Sequence, residues 1–207
     1  MKKKTTIVIA DDHHLLRMGL ASLLGCQPDM AVVGEAEDGR EAVRLAKDLK
    51  PDVVIMDIMM PEMNGTEATK AIHDDLPDTK VLVLTSYPES VELAKALENG
   101  ASGVLAKDTP NDKLLVALRD IIAGRRVVPP EMQRQINEAL AFASLSDRQL
   151  DYLELAARGF NNNDIASRTN TTIDAVKKQF SSLFLKLGVT NRAEAIALAQ
   201  RKHLLDT

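Results

Sequence analysis

The sequence predicts two units of different class: a doubly wound α/β unit built on a five-stranded parallel sheet, then a small all-α unit. Three observations carry this expectation. Short, mostly β-branched runs alternate with longer helix-patterned segments through the first two-thirds of the chain. The pair Pro129-Pro130 then interrupts the alternation, since proline donates no backbone hydrogen bond and disfavours helix at the residue before it. Beyond it the strand signal stops and only helical periodicity remains.

The expected strands cover 5–10, 31–34, 53–56, 81–84 and 103–106. Between them, stretches such as GREAVRLAKDLK and ESVELAKALENG place apolar residues at helical spacing. Pro51 follows one of these segments and Gly100 closes another, both acceptable stop signals. Five β-then-α units imply parallel strands, right-handed crossovers and helices on both faces of the sheet. Ligands of such sheets sit at the carboxyl ends of the strands, near a topological switch point. Residues 1–123 are assigned to this unit, and residues 124–144 to a linker with a short helix over 131–142. Residues 145–207 form the helical unit, in which SDRQLDYLELAARG, NNNDIASRTN, TTIDAVKKQFSSLFLKLG and NRAEAIALAQRKH read as four helices. Their expected N-caps are Ser146, Asn161 or Asn162, Thr171 or Thr172, and Asn191.

The 207 residues are 45% hydrophobic and 27% charged, the composition of a soluble globular protein with length enough for one or two cored domains. Cys26 is the single cysteine, so no intramolecular disulfide can form and an oxidising compartment gains no support. Lys2-Lys3-Lys4 imitates the start of a signal peptide, but the apolar run after it stops at Ala10 against two aspartates. No run is long enough to span a membrane, and a cytoplasmic location is expected. The net charge of −4 conceals an asymmetry: residues 145–207 hold nine Lys and Arg against seven Asp and Glu, +2, which leaves −6 on the rest. An acidic front and a mildly basic back suit two units with different partners.

The strand ends carry the chemistry. The first strand runs into Asp11 and Asp12, the third (DVVIMD) into Asp57, the fourth into Thr85 and the fifth into Lys107. Parallel strands bring these ends to one rim, so three carboxylates, a hydroxyl and an ammonium converge there. Carboxylates crowded in this way repel one another unless a cation is present. Oxygen ligands favour a hard ion such as Mg²⁺, held by few protein groups plus water. His13 and His14 suggest zinc, but adjacent helical residues point about 100° apart, and no cysteine or further histidine falls at ligand spacing. They are expected to be ordinary first-turn residues.

Four motifs now define a resemblance. ADD after the first strand, DIMMPEMNG from Asp57, LTSY with Thr85 and GASGVLAKD with Lys107 resemble, in order, the receiver domain of two-component response regulators, a flavodoxin-like fold, over residues 5–123. The resemblance implies that Asp57 accepts a phosphoryl group from a sensor histidine kinase. It implies that Asp12 and Asp57 bind Mg²⁺ through their carboxylates, Asp11 through water and Met59 through its backbone carbonyl. Lys107 would pair with the phosphoryl oxygens, and the Thr85 hydroxyl would donate to one of them. Met59 and Tyr87, two residues after Asp57 and Thr85, take the places that control access of water. Neither can orient a water as a general base does, so slow self-dephosphorylation is expected. Many receivers carry an aromatic three residues before the lysine, where this chain has Val104.

The C-terminal residues LSDRQ, ARGFNNNDIA, AVKKQFSSLFLKLGV and NRAEAIALA resemble the LuxR-type helix-turn-helix over 145–203. A receiver joined to this domain is the arrangement of NarL/FixJ-type regulators. The resemblance implies that a helix over 173–187 enters the major groove of duplex DNA. Lys177, Lys178, Ser181 and Gln179 would face the DNA, while Val176, Phe180, Leu183 and Leu187 form the apolar stripe. Gln149, Ala175 and Gln179 stand where Glu, Thr and His are common. The low charge of this unit suggests that binding needs a homodimer, formed on phosphorylation.

Two other function classes compete with this reading. A Mg²⁺-dependent aspartyl phosphatase of the haloacid-dehalogenase type needs a second aspartate two residues after its nucleophile, where Met59 stands, so the chain is expected not to be an enzyme. A helical tail that binds protein rather than DNA is the other class, and it would lack the salt-dependent duplex binding that counterion release gives a DNA reader.

Overall fold

The computed structural model describes residues 3–86, 91–202 and 205. The chain divides into two compact units, Met1–Ile136 and Asn137–Thr207. The first runs β1 (Thr5–Ala10), α1 (His14–Gly25), β2 (Met30–Ala36), α2 (Gly39–Leu49), β3 (Val53–Asp57), α3 (Gly65–Asp75), β4 (Lys80–Thr85), α4 (Val91–Glu98), β5 (Gly103–Ala106) and α5 (Asn111–Ile122). Its sheet has the order β2-β1-β3-β4-β5 with every pair parallel. The order reverses between β1 and β3, so the switch point lies between the strands that end in Asp11 and Asp57.

Alternation along the strands divides the core in two. Val8, Val54, Met56, Val83 and Val104 face Ala42 and Ala46 of α2, Ala68 and Ile72 of α3, and Leu93 and Ala96 of α4. Ile7, Ile9, Ile55, Leu82 and Leu84 face Leu20 and Leu24 of α1 and Leu114, Leu118 and Ile121 of α5. Small alanines on α2 to α4 let those helices approach the sheet closely. β3 and β4 run past their apolar cores, Asp57 and Thr85 joining the ladders because their backbones still pair with Leu84 and Ala106, while β2 continues through Glu35 to the buried Ala36, paired with Ala10. The free edge of β5 is covered by Val127, whose carbonyl accepts from the Val104 N–H at 2.8 Å and whose N–H donates to Ser102 O at 3.1 Å.

Helix α6 (Pro130–Ala143) starts at a proline, which suits a first turn that has no intrahelical acceptor to offer its nitrogen. The unit boundary falls inside it: Met132 and Ile136 are buried in the core of the first unit, Phe142 in that of the second. The second unit continues with α7 (Asp147–Ala157), α8 (Asn162–Arg168), α9 (Ile173–Leu187) and α10 (Arg192–Arg201). The caps of α7 to α10 are Ser146, Asn161, Thr172 and Asn191, each accepting from a backbone N–H of the first turn. α9 stops at Gly188 in the left-handed conformation, φ 64°. Val176, Phe180, Leu183 and Leu187 are its buried stripe. Among the described residues no helix is long and apolar enough to cross a membrane.

One glycine sets the approach of α3 to the end of β3. A Cβ on Gly65 would stand 1.9 Å from the carbonyl oxygen of Asp57, and the Gly65 N–H donates to Ile58 O at 2.9 Å. Gly65→Ala therefore pushes the first turn of α3 away from the end of β3. It should lower stability by about 1–3 kcal/mol, as overpacking does, measured by urea unfolding; an unchanged midpoint would contradict this close approach.

Candidate functional site

The carboxyl ends of β1, β3, β4 and β5 form one rim, and backbone bonds fix its members. Asp11 follows β1 and its N–H donates to Ala36 O of β2 at 3.2 Å. Asp57 is the last residue of β3, and Thr85 the last of β4, where its carbonyl accepts from the Lys107 N–H at 2.8 Å. Asp11, Asp57 and Thr85 are all buried. The Lys107 ammonium stands between two carboxylates, 2.8 Å from Asp11 Oδ2 and 2.7 Å from Asp57 Oδ2. The Met59 N–H donates to Asp57 Oδ1 at 3.4 Å, which leaves its half-exposed side chain at the mouth. Tyr87 lies outside the described residues.

Electrostatics explain the arrangement. Burial pushes the Asp57 carboxyl above its ordinary range, the nearby Asp11 charge adds to this, and Lys107 opposes it without cancelling it. Burial pulls the Lys107 ammonium down, but its bonds to Asp11 and Asp57 outweigh that and raise it above the ordinary lysine value. One ammonium thus serves two buried carboxylates. Asp12 supplies a third, exposed one, so the rim is a net acceptor of positive charge. Ligand atoms of Asp11, Asp12, His13 and Asp57 all lie within 4.8 Å of one another. A carboxylate set at such spacing fits a small hard cation such as Mg²⁺.

The two histidines need a correction. His13 is not a first-turn helical residue: it is the extended residue before α1. Its ring turns back to the acids, Nδ1 lying 2.7 Å from Asp12 Oδ1 and 3.3 Å from Asp11 Oδ1. His14 opens α1 and goes elsewhere, its Nδ1 3.3 Å from Arg17 Nη2. Sequence spacing separated the two rings but missed that an extended backbone returns the first to the carboxylates. Arg17, a buried arginine on an otherwise apolar helix face, was missed as well, although a charge at an apolar position was its signal.

In the second unit Lys177, Lys178 and Ser181 are exposed on α9 and Gln179 is half-buried. Lys177 is only loosely paired with Asp174, at 3.8 Å between two exposed groups, a contact worth little in water. The Ser181 hydroxyl donates to Lys177 O at 3.0 Å, which leaves its oxygen free to accept. Gln149 shows why an amide serves where a carboxylate is common. Its Oε1 accepts from the Ser146 N–H at 3.1 Å and from Lys186 Nζ at 2.9 Å, while its Nε2 donates to Ser182 Oγ at 3.4 Å. A carboxylate could accept the first two bonds but could not donate the third. Lys186 also donates to Ser144 O, so the end of α9 is tied to the start of α7. Arg192 reaches from α10 to Phe160 O and, at 3.4 Å, to Asn162 Oδ1, lying over the Phe180 ring; these contacts brace α8 against α9.

Comparison with known proteins locates both units. Residues 7–119 match the model of the response regulator receiver domain, and residues 143–199 that of the bacterial regulatory proteins of the luxR family. The response regulator protein VraR of Staphylococcus aureus is 37% identical over 204 residues, covering 96% of this chain and 98% of VraR. Among solved structures, the response regulator ChrA of a heme-sensing two-component system is 32% identical, with a TM-score of 0.56 over 97% of this chain and 98% of that one. RcsB, solved as dimers bound to DNA, is 27% identical, with a TM-score of 0.66 over 96% of this chain and 98% of that one.

The shared ammonium gives a pH test. Lys107→Met leaves Asp11 and Asp57 to repel each other, and removing one partner from a buried charge cluster costs about 3 kcal/mol. Without the lysine, only the Met59 N–H opposes the burial that raises the Asp57 carboxyl, so the folded variant holds a proton there that the unfolded chain releases. The deficit should be full at neutral pH and shrink as pH falls from the raised folded value of Asp57 toward the ordinary carboxylate value of 3.8. Equal gaps between parent and variant in urea midpoints at pH 7 and pH 4 would contradict this charge balance.

Proposed function

The chain belongs to the two-component response regulators, joining a receiver domain to a LuxR-family helix-turn-helix domain, and from this we propose that it regulates transcription through a phosphoryl group carried on Asp57. The observation that supports this best is the buried Asp57–Lys107–Asp11 group at the switch point of the sheet. In this reading a carboxylate oxygen of Asp57 attacks the phosphorus of a phosphohistidine in a sensor kinase. The new O–P bond forms as the N–P bond breaks, and the histidine ring keeps the electron pair. Asp12 and Asp57 would hold Mg²⁺ through their carboxylates, Asp11 through water and Met59 through its carbonyl. When bound, that ion supplies positive charge against the oxygens of the transferred group. Lys107 then turns its ammonium from carboxylate to phosphoryl oxygen, and the Thr85 hydroxyl donates to another. The chain performs no turnover chemistry beyond slow loss of its own phosphoryl group, which Met59 and Tyr87 restrain by shielding it from water.

The output is DNA binding by α9 in the major groove, with Lys177 and Lys178 on phosphates or base edges and Ser181 and Gln179 as hydrogen-bonding neighbours. Residues 1–123 are the input domain, 124–144 the linker and 145–207 the output domain. A second copy completes the reader, since one output domain offers few cations; the DNA-bound RcsB dimers support this. Phosphorylation would promote that homodimer, and a cytoplasmic site of action suits both partners, kinase and duplex.

Three outcomes test these roles. Asp57→Asn keeps the shape of the side chain but cannot form an acyl phosphate. The variant should fold and take up no radiolabel from a phosphodonor with Mg²⁺ present; labelling at the parent rate would remove Asp57 as acceptor. Lys177→Ala and Lys178→Ala should each weaken duplex binding, and a lysine touching only phosphate should lower the salt slope by about one. Unchanged affinity in both would move the reader off α9. Replacing Met59 with Asn and Tyr87 with Glu should speed loss of the phosphoryl group by about tenfold, or roughly 1.4 kcal/mol in the barrier. A half-life as long as the parent's would end the shielding role.

A further inference from the structure

Arg17, in the second turn of α1, is 4% exposed and stands directly behind the acidic rim. Its Nη1 donates to the backbone carbonyl of Asp11 at 2.6 Å, and its Nη2 to Glu37 Oε1 at 2.6 Å. Nε faces Glu35 Oε2 at 3.4 Å, an ion pair that leaves Nε without a formed hydrogen bond. One guanidinium therefore ties α1 to the end of β1 and to the end of β2. Burying a charge is costly, and an apolar side chain would fill the same space more cheaply. What an apolar side chain could not do is hold the Asp11 carbonyl.

We propose that Arg17 is a positioning residue for divalent-cation capture: it fixes the peptide between Asp11 and Asp12 and thereby aims both carboxylates. Every polar atom of Asp11 has a partner. Its N–H donates to Ala36 O, its carbonyl accepts from Arg17, Oδ1 accepts from the His13 N–H at 2.8 Å and Oδ2 from Lys107. Asp12 has no such set; its carboxylate is exposed and meets the His13 ring. The orientation of Asp12 is thus inherited from the peptide plane that carries its nitrogen, and Arg17 holds the oxygen of that plane. The action is geometric more than electrostatic, because Glu35 and Glu37 already balance the Arg17 charge. Outer partners that orient metal ligands are typically worth 10–100-fold in metal affinity.

The inference rests on the reading that Asp11, Asp12 and Asp57 hold Mg²⁺, and its test separates the two. Calorimetric titration of the full chain with Mg²⁺ alone gives the readout, with thermal unfolding in the absence of metal as the measure of a purely structural role. Arg17→Met should bind Mg²⁺ about tenfold more weakly. Arg17→Lys, which keeps the charge but not the two-pronged geometry, should fall between that variant and the parent. Parent-like affinity in Arg17→Met, with or without a lower melting temperature, would overturn the proposal. If Arg17→Met does not fold, Arg17→Lys decides: weakened binding supports the proposal, and parent-like binding overturns it. Should Asp12→Asn lose Mg²⁺ while both Arg17 variants keep it, the cation site stands and the role of Arg17 falls. A folded parent that binds no Mg²⁺ would end both.

Discussion

Repulsion among three carboxylates at the ends of two neighbouring strands is the constraint around which the first unit is organised. β1 and β3 are adjacent in the sheet, so Asp11, Asp12 and Asp57 meet whatever the side chains prefer. The fold meets this with one cation, Lys107, placed by β5 and shared between the two buried acids. That balance is incomplete, and the burial that raises Asp57 keeps it so. A site poised in this way gains from any further positive charge, and also from any group that gives Lys107 a better partner. A metal ion meets the first condition and a phosphoryl group the second. The chemistry proposed for Asp57 is in this sense a property of the strand order.

The second unit follows a separate logic, in which the exposed face of α9 must be presented rigidly while carrying few charges. Its buried stripe packs against α7, α8 and α10 through Tyr152, Ile165, Leu153 and Ala195. Polar ties then fix its two ends, the Thr172 cap at the start and Lys186 with Gln149 and the left-handed Gly188 at the finish, while Arg192 lies over Phe180 at its middle. Lys186 is spent on structure, so it does not add to the DNA-facing charge. This sharpens the dependence on Lys177 and Lys178 in the proposed mode of binding, and it suits the proposed reader that works in pairs.

Much of this was legible in the chain. Strand ends could be read because apolar runs stop abruptly at Asp11, Asp57, Thr85 and Lys107, and parallel topology does the rest. The apolar stripe of α9 and the caps Ser146 and Asn191 followed from periodicity and capping chemistry, which narrowed the caps of α8 and α9 to two neighbouring residues each. Other features were hidden because they depend on contacts between segments far apart in sequence. The pairing of Val127 with β5 and the burial of Met132 and Ile136 in the first core belong to a stretch that read as a linker with a short helix, with no sign of which core it would join. The return of His13 to Asp12 depends on one extended residue. The position of Val104, fully buried between β4 and the helices on its face, explains how a smaller side chain is accommodated where many receivers carry an aromatic, since Met132 and Ile136 share that core.

The claim on which the rest depends is that the crowded rim directs a phosphoryl group to one of its three carboxylates. The most direct measurement treats the full chain with an acyl-phosphate donor and Mg²⁺, reduces it with borohydride and maps the product by peptide mass spectrometry. Reduction converts a phosphorylated aspartate to homoserine and so records where the group was. Homoserine is expected at position 57, with unmodified aspartate at positions 11 and 12. Homoserine at position 11 or 12, or none at position 57 in protein that has taken up phosphate, would contradict that claim.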